Sequence, residues 1–291
     1  MVINYRGSRV RITIGKLLCY VFVFLIGIMM LYPFWYILMY SVSTYSMVIG
    51  KGAILLPHGF TLDVIKHVLS DSDIFTAYGN TLFLAIVGTF LSLVASLLFA
   101  YPLSCKVIGH RTISFLVYFT MLFSGGMLPT YYVVRKLGLL DSLWSLILPG
   151  LISPFNVFII RNFFAAVPES LKESASIDGA GQMRIFMQIM LPLSMAVVAT
   201  MTLFYAVGYW NSYFSAIIYI RSASKRPLQL ILREMISMSS TEDMGDFSAS
   251  DTTPTTLKMA TLTVSVIPIM CIYPFLEKFF AKGVMVGAVK G

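Results

Sequence analysis

Length, composition and charge exclude a water-soluble protein. The chain has 291 residues, of which 58% are hydrophobic and 12% charged, whereas soluble globular domains carry about 25% charged residues. The mean hydropathy is +0.83 and the net charge is +8. The basic residues are scattered between apolar runs rather than gathered in one patch, so we expect a membrane protein and no nucleic-acid partner.

Six runs of the sequence lack charged residues and are long enough to cross a bilayer. A helix needs about 20 residues to span a hydrocarbon core about 30 Å thick. A barrel strand would alternate apolar and polar residues, and these runs do not. We therefore predict an all-α polytopic membrane protein with six transmembrane helices, within residues 17–50, 74–105, 112–134, 142–160, 185–220 and 259–276.

The basic residues also predict the orientation. Arg6, Arg9, Arg11 and Lys16 precede an apolar stretch that is typical of a retained signal anchor. Six spans that start from a cytoplasmic N-terminus leave twelve of the 21 Lys and Arg residues inside. This bias has the sign of the positive-inside rule, so both termini are expected in the cytoplasm.

We divide the chain after residue 73. Residues 1–73 comprise an N-terminal cytoplasmic segment, the first transmembrane helix and an outer loop, and residues 74–291 form a core domain with the other five helices. The core domain carries a cytoplasmic loop at about 161–191, an outer loop at about 221–256 and a cytoplasmic C-terminal tail. The outer loop is polar and either receives a soluble partner or is a flexible solvent loop.

The cytoplasmic loop has the signals of two short helices. Pro168 and Glu169 are typical of a helix start, because proline suits the first position and an acid suits the positive end of the dipole. Gly179 indicates a break, and residues 182–190 form a second amphipathic segment. Amphipathicity alone favours helices that lie on the lipid surface.

The residues of this loop resemble the E-A-A, G, I-x-L-P loop of permease subunits in binding-protein-dependent ABC importers. The matching residues are Glu173, Ala175, Gly179, Ile189, Leu191 and Pro192. Ser174 departs from the pattern, where the family has a second alanine. The loop lies just before a predicted span that we expect to begin at Pro192, which is the context the motif requires.

The end of the chain resembles the smaller membrane subunit of maltose-type sugar importers. Residues 279–291 carry this likeness, and Asp178 and Ala180 beside Gly179 agree with it. The resemblance implies the carbohydrate branch and an oligosaccharide as cargo. Uronate-containing chains such as alginate or aldouronate fragments would be tolerated by the basic residues expected outside, Lys51, Lys66, Arg221, Lys225 and Arg226.

The resemblance implies a type I ABC importer permease fold in the bacterial cytoplasmic membrane. In such importers the loop helices insert into a cytoplasmic ATPase, and closure of an ATPase dimer around two ATP alternates access. The expected partners are a second permease in a heterodimer, two ATPase subunits, an extracytoplasmic solute-binding protein and membrane lipid. ATP and Mg are expected on the ATPase subunits, and this chain, which has no G-x-x-x-x-G-K-[ST] loop, is expected not to be an enzyme.

The resemblance assigns the coupling role to Glu173, Ser174, Ala175, Asp178, Gly179, Ala180, Ile185, Phe186, Ile189, Leu191 and Pro192. Glu173 is expected to contact a basic ATPase residue, and Gly179 to make the turn. Ile185, Phe186 and Ile189 are expected to be the apolar anchor. The alternatives are that these three are buried against this protein's own helix ends and that Gly179 caps a helix.

Aromatic and hydrogen-bonding residues of the fifth span predict a sugar pathway. The candidates are Tyr205, Tyr209, Trp210, Asn211 and Tyr213, with Asn156 of the fourth span. The alternative is an aromatic belt at the membrane interface. Glycines and prolines of the third and fourth spans indicate bends, either around a cavity or in kinked packing without one.

Two other functions remain open, namely an ABC permease for a non-sugar solute and an ATP-independent secondary transporter. No Asp, Glu, Lys, Arg or His lies within the charge-free cores, which disfavours ion-coupled transport. The three cysteines and three histidines lack the spacing of a metal site, so we expect no metal.

Overall fold

The computed structural model describes residues 2–5, 8–11, 14–48, 52, 54–105, 108–242, 255–268 and 270. The described residues divide into two compact units. The first takes its residues from Met1–Ser70 and Ser239–Val266, and the second from Asp71–Met238 and Ile267–Gly291. The C-terminal residues that resemble a maltose-type permease lie outside the described part of the chain, as does 243–254 of the expected outer loop.

The first unit contains one long apolar helix. Its elements are β1 (Val2–Tyr5), β2 (Ser8–Arg11), α1 (Ile14–Ser41), α2 (Tyr45–Val48), α3 (Asp63–Ser70) and a helix over residues 255–268. The two strands form an antiparallel hairpin, which departs from the expected all-α content. A small core of Tyr40, Val48 and Ile54 packs against Met259 of the last helix.

The regular secondary structure described in the second unit is entirely helical. Its α-helices are α4 (Ser72–Phe83), α5 (Thr89–Ser104), α6 (His110–Leu122), α7 (Met127–Lys136), α8 (Trp144–Ile147), α9 (Pro154–Ala165), α10 (Glu169–Ile177), α11 (Gln182–Ile185), α12 (Leu191–Leu193), α13 (Met195–Trp210), α14 (Phe214–Tyr219) and α15 (Leu228–Glu242). Leu84–Gly88 and Phe186–Met190 are π-helical, and Leu148–Gly150 and Ala223–Lys225 are 3₁₀ turns. The core forms where α5 packs along α9 and α13.

Several helices are apolar enough to cross a membrane. Among the described residues, Gly15–Ser41 and Ser72–Ser104 qualify alone. Three more spans qualify only as bent pairs, with angles of 112° between α6 and α7, 52° between Trp144–Gly150 and α9, and 83° between Gln182–Leu193 and α13. The expected sixth span, 259–276, is described only in part.

The bends in the third and fourth expected spans occur where glycine and proline predict them. Gly126 has a φ of 89°, which a residue without a Cβ adopts readily, and it separates α6 from α7. Pro154 begins α9, and the Ser153 hydroxyl accepts a hydrogen bond from the Asn156 amide there. An open groove of about 450 Å³ beside these bends is lined by Pro129 and Pro149, among others, but not by Gly126 or Pro154.

The start of the next span differs from the expectation. Pro192 does not begin this span, because α12 ends at Leu193, the helix is interrupted at Ser194 and α13 starts at Met195. Proline lacks an amide N–H and crowds the preceding turn of a helix. Pro192 therefore lies in the short helix before the bend, and α13 begins after it.

Candidate coupling loop and substrate cavity

The first loop helix, α10, ends in a glycine-based cap. Gly179 has a φ of 78°. The Ala180 amide donates to the Ala175 carbonyl at 2.9 Å, and the Gly179 amide donates to the Ser176 carbonyl at 3.1 Å. This pair of bonds is a Schellman motif, which satisfies the last carbonyls of a helix. The predicted stop at Gly179 is thus confirmed, and it turns the chain directly into α11.

The second loop helix is held by its apolar side to this protein's own core. Ile185 and Phe186 are 1% and 3% exposed, in one cluster with residues of α5 and α9. The Phe186 ring lies 5.0 Å from that of Tyr101 and 6.1 Å from that of Phe164, measured between centroids. The assignment of Ile185 and Phe186 as a surface anchor is therefore wrong. Ile189 is partly buried on the same cluster.

A different set of loop side chains is exposed. Ile177 is 85% exposed, Met183 60% and Met187 53%. Ile177 lies four residues after the exposed Glu173, and Met187 lies four residues after Met183, so each pair shares a helix face. The four-residue spacing of the methionines, out of phase with Ile185 and Phe186, is the sequence signal that could have identified this surface.

The remaining predicted loop residues divide in the same way. Ser174, Asp178, Gly179 and Pro192 are exposed. The other three, Ala175, Ala180 and Leu191, pack partly buried against the core cluster.

A groove of about 470 Å³ separates α10 from α11. Glu169, Lys172 and Glu173 line its α10 side, and Gln182 lines the other. The Tyr101 hydroxyl, at the end of α5, donates to the Gln182 Oε1 atom at 3.0 Å. The loop is thus joined to α5 by a hydrogen bond as well as by buried rings.

Two tyrosines of the fifth span join α13 to α5. The Tyr205 and Ser96 hydroxyl oxygens are 2.6 Å apart, and those of Tyr209 and Ser92 are 2.7 Å apart. Both tyrosines are buried. Because each pair of residues is spaced by four, the two bonds lie one turn apart along the helix interface. This burial contradicts the alternative of a lipid-facing aromatic belt at these positions.

A cavity of about 260 Å³ lies beside these tyrosines. Its lining residues come from the fourth and fifth expected spans and are Leu146, Gly150, Ser153, Asn156, Phe204, Tyr205, Gly208, Tyr209 and Ser212. It brings together three of the predicted pathway residues, Asn156, Tyr205 and Tyr209. Ser153 and Gly208 were not singled out in the sequence, and nothing in its pattern distinguishes them.

The other predicted pathway residues do not line this cavity. Trp210 is buried edge-on to Tyr78, with ring centroids 6.5 Å apart. The Asn211 side chain donates to the Val207 carbonyl at 3.0 Å and so caps the C-terminal end of α13. Tyr213 is exposed, and the Arg233 guanidinium lies 5.8 Å from its ring centroid. Each of these three residues is thus engaged with a neighbouring group outside the cavity.

Asp141 organises the connection after α14. Its Oδ1 atom accepts from the Arg221 and Ser222 amides, both at 2.9 Å, and its Oδ2 atom accepts from the Ser222 hydroxyl and the Lys225 ammonium. Donation by Ser222, then by the Arg221 amide and Lys225, holds the pKa of Asp141 well below its usual range. Residues 80 positions apart in the chain are thereby joined.

The beginning of the expected outer loop is folded rather than open. The Asn80 amide donates to the Ser224 and Arg226 carbonyls at 2.9 and 3.1 Å, and the Leu228 amide donates to the buried Thr81 hydroxyl at 2.9 Å. α15 follows directly. The interpretation of the whole segment from residue 221 as a flexible solvent loop is therefore wrong, because side chains of α4 bind its first residues.

Bent apolar spans, a cavity lined by aromatic, serine and asparagine residues, and loop helices with exposed side chains are features of a helical membrane transport component. The chain is 44% identical over 279 residues to the polygalacturonan/rhamnogalacturonan transport system permease protein YtcP of Bacillus subtilis (strain 168), which covers 94% of this chain and 98% of that protein. It is also 44% identical over 269 residues to Protein LplC of the same organism, which covers 91% of each chain.

A solved structure of a transporter subunit is also similar to this chain. One chain of a bacterial ABC transporter involved in the import of the acidic polysaccharide alginate aligns with a TM-score of 0.84 and 31% identity, over 92% of this chain and 96% of that one. No family model matches the sequence. These relatives show that the chain belongs to the ABC transporter permeases, in the group that serves sugar transport.

Proposed function

We propose that this chain is the permease subunit of an ATP-driven importer for oligosaccharides that include uronate-containing chains. The observation that carries the proposal is the near full-length similarity to a permease named for polygalacturonan, joined to the structural match with an alginate importer. Both of those names denote polymers of acidic sugars. The importer function and the acidic cargo are separate parts of the proposal and are tested separately below.

The exposed side of the loop is the proposed contact with the ATPase. Glu173 and Ile177 on α10, with Met183 on the second helix, offer a carboxylate and apolar side chains that nothing in the described residues covers. Ile185 and Phe186 take a different role, because they fasten the loop to α5 and α9. Movement of the docked loop would therefore be passed to the spans through a packed contact.

The proposed assembly places this chain in the bacterial cytoplasmic membrane with six spans and both termini inside. Its partners are a second permease, two ATPase subunits, membrane lipid and an extracytoplasmic binding protein at the end that carries Asp141 and Arg221. ATP and Mg bind to the ATPase subunits. The positive-inside bias of the sequence supports this orientation.

The cavity at Asn156, Tyr205 and Tyr209 is the proposed part of the sugar pathway in this subunit. Rings and hydroxyls there present the two kinds of surface that a pyranose offers. Trp210, Asn211 and Tyr213 are proposed to shape the end of α13 beside the cavity, since each is engaged with a neighbouring group.

The experiment is ATP hydrolysis by the purified complex with its binding protein. We expect binding protein loaded with oligogalacturonate to raise hydrolysis several-fold over unloaded binding protein, and neutral maltooligosaccharide to raise it less. Stimulation by neutral oligosaccharide alone would contradict the acidic cargo and retain the importer. A folded, monodisperse chain with which no ATPase copurifies would contradict the importer itself.

A further inference from the structure

The two segments of the second unit around Asp141 hold more basic than acidic residues. Residues 127–143 and 214–237 contain six basic and two acidic residues. Both acids are engaged, because Asp141 pairs with Lys225 and Glu234 pairs with Arg226 at 2.8 Å. The remaining four bases have no carboxylate within salt-bridge distance among the described residues, namely Arg135, Lys136, Arg221 and Arg233.

Two of these bases lie beside one tyrosine. The Arg221 Nη2 atom is 3.5 Å from the Tyr131 hydroxyl oxygen. Arg135 is exposed and follows Tyr131 by four residues on α7, so both side chains lie on one face of that helix. We call Tyr131, Arg135 and Arg221 the Tyr131 patch.

Contacts with Tyr219 and Asp141 position the Tyr131 patch. The Tyr131 ring stacks on that of Tyr219, with centroids 6.4 Å apart and an angle of 15°. The Tyr219 carbonyl accepts from the Asp141 amide at 2.8 Å, and the Asp141 carboxylate fixes the Arg221 backbone. The Tyr131 ring and the Arg221 backbone are therefore positioned, while Arg135 and Arg221 are exposed residues.

We propose that the Tyr131 patch binds a uronate carboxylate of the arriving oligosaccharide, an inference that rests on the proposed acidic cargo. Guanidinium groups match the two oxygens of a carboxylate in a planar fork, and they bind it more selectively than an ammonium does. The tyrosine adds a hydroxyl for the sugar's polar edge and part of a ring for its apolar face. The patch would thus select acidic sugars as they leave the binding protein.

The test measures uptake into proteoliposomes that contain the assembled importer. Its two cargoes are trigalacturonate and its methyl ester, which keeps the sugar chain but replaces each charged carboxylate with a neutral ester, each supplied above the measured Kd of the binding protein. We expect Arg221→Gln or Arg135→Gln to lower uptake of the acid roughly tenfold, as loss of one charged hydrogen bond would, and to leave uptake of the ester unchanged. Neither change removes a backbone bond to Asp141.

The matched control is Lys136→Gln. It removes one positive charge from the same helix end, but from a position about 140° around the helix from Tyr131. We expect it to leave uptake of both cargoes within about twofold of the unmodified importer, since it alters only the long-range field, which salt screens.

Three results would overturn the proposal. Equal losses for the acid and the ester in Arg221→Gln would show that the patch docks the binding protein instead of the sugar. An undiminished preference for the acid in both variants would move carboxylate recognition elsewhere and keep the acidic cargo. Equal uptake of acid and ester by the unmodified importer would refute the acidic cargo and this site together.

Discussion

Single residues in the coupling loop divide into those that hold it and those that it presents. Ile185 is 1% exposed and Ile177 is 85% exposed, although both are isoleucines within nine positions of each other. A buried isoleucine stabilises the fold through apolar burial and close packing. An exposed one contributes little to the isolated chain and is available to a partner.

The two isoleucines should therefore respond differently to substitution. We expect Ile185→Ala to lower the free energy of unfolding by about 2–5 kcal/mol, because it leaves a cavity in the core. Ile177→Ser should change stability by no more than about 0.5 kcal/mol. It should nevertheless reduce the stimulated ATPase rate about fivefold or more if Ile177 is an interface anchor. Thermal unfolding and ATP hydrolysis of the purified complex measure both effects; full stimulation in Ile177→Ser would count against the proposed docking face.

Gly88 allows Tyr209 to reach Ser92. A Cβ added at position 88 would lie 2.8 Å from the Cε2 atom of the Tyr209 ring. We expect Gly88→Ala to destabilise the protein by about 1–3 kcal/mol through overpacking. Gly79→Ala in α4 is the control, because its added Cβ meets no atom within 4 Å. A melting temperature that falls equally in both variants would show that the ring does not require the glycine.

Helix α5 of the second unit is joined to its neighbours by hydrogen bonds between hydroxyl groups at one place and by packed aromatic rings at another. α5 contacts α13 through Ser92 and Ser96 and contacts the coupling loop through Tyr101. One helix therefore contacts both the loop and the two tyrosines that line the cavity. The π-helical segment Leu84–Gly88 lies immediately before α5, and such segments often occur at functional sites.

The hydroxyl pairs between α5 and α13 predict non-additive effects. Tyr209→Phe alone leaves the buried Ser92 hydroxyl unpaired, and Ser92→Ala alone leaves the tyrosine unpaired, so each should cost about 1–3 kcal/mol. The double variant should cost clearly less than the sum of the two. A double-mutant cycle by chemical or thermal unfolding measures the difference, and strict additivity would exclude the bond as a contributor to stability.

The Asp141 connection predicts a pH dependence of one sign. The pKa of Asp141 in the folded protein lies below its ordinary value of 3.8. The stability that its carboxylate contributes is therefore complete above pH 3.8 and is lost as the pH falls toward the folded pKa. Amide exchange at Arg221 and Ser222 should be equally slow at pH 8 and pH 5.5, after correction for intrinsic rates, and should quicken below about pH 4. Asp141→Asn should already quicken it at neutral pH. Equal protection in that variant would show that the carboxylate does not hold the connection.

The sequence predicted elements whose causes are local. Apolar runs, Gly126, Pro154 and the stop at Gly179 each act within a turn or two of the chain. It did not predict the side of the second loop helix that faces the core, because Ile185 and Phe186 on one side and Met183 on the other are all apolar. The bonds of Asp141 to residues 80 and more positions away were equally out of reach, since only the fold brings them together.

At the scale of the whole molecule, the chain resembles transport permeases over nearly its full length. Its loop offers an exposed surface at one place and a packed contact with α5 and α9 at another. The Tyr131 patch and the cavity at Asn156 offer polar and charged groups for a sugar. Together with the similarity to importer subunits, these features support the proposal that ATP hydrolysis by partner subunits drives an acidic oligosaccharide past this chain.

Uptake of labelled oligogalacturonate into proteoliposomes tests that claim most directly. The vesicles contain the assembled complex with ATP and Mg on the ATPase side and loaded binding protein on the other. We expect accumulation that requires both hydrolysable ATP and binding protein and that Ile177→Ser slows without unfolding the chain. Accumulation without ATP, driven by an ion gradient alone, would contradict it.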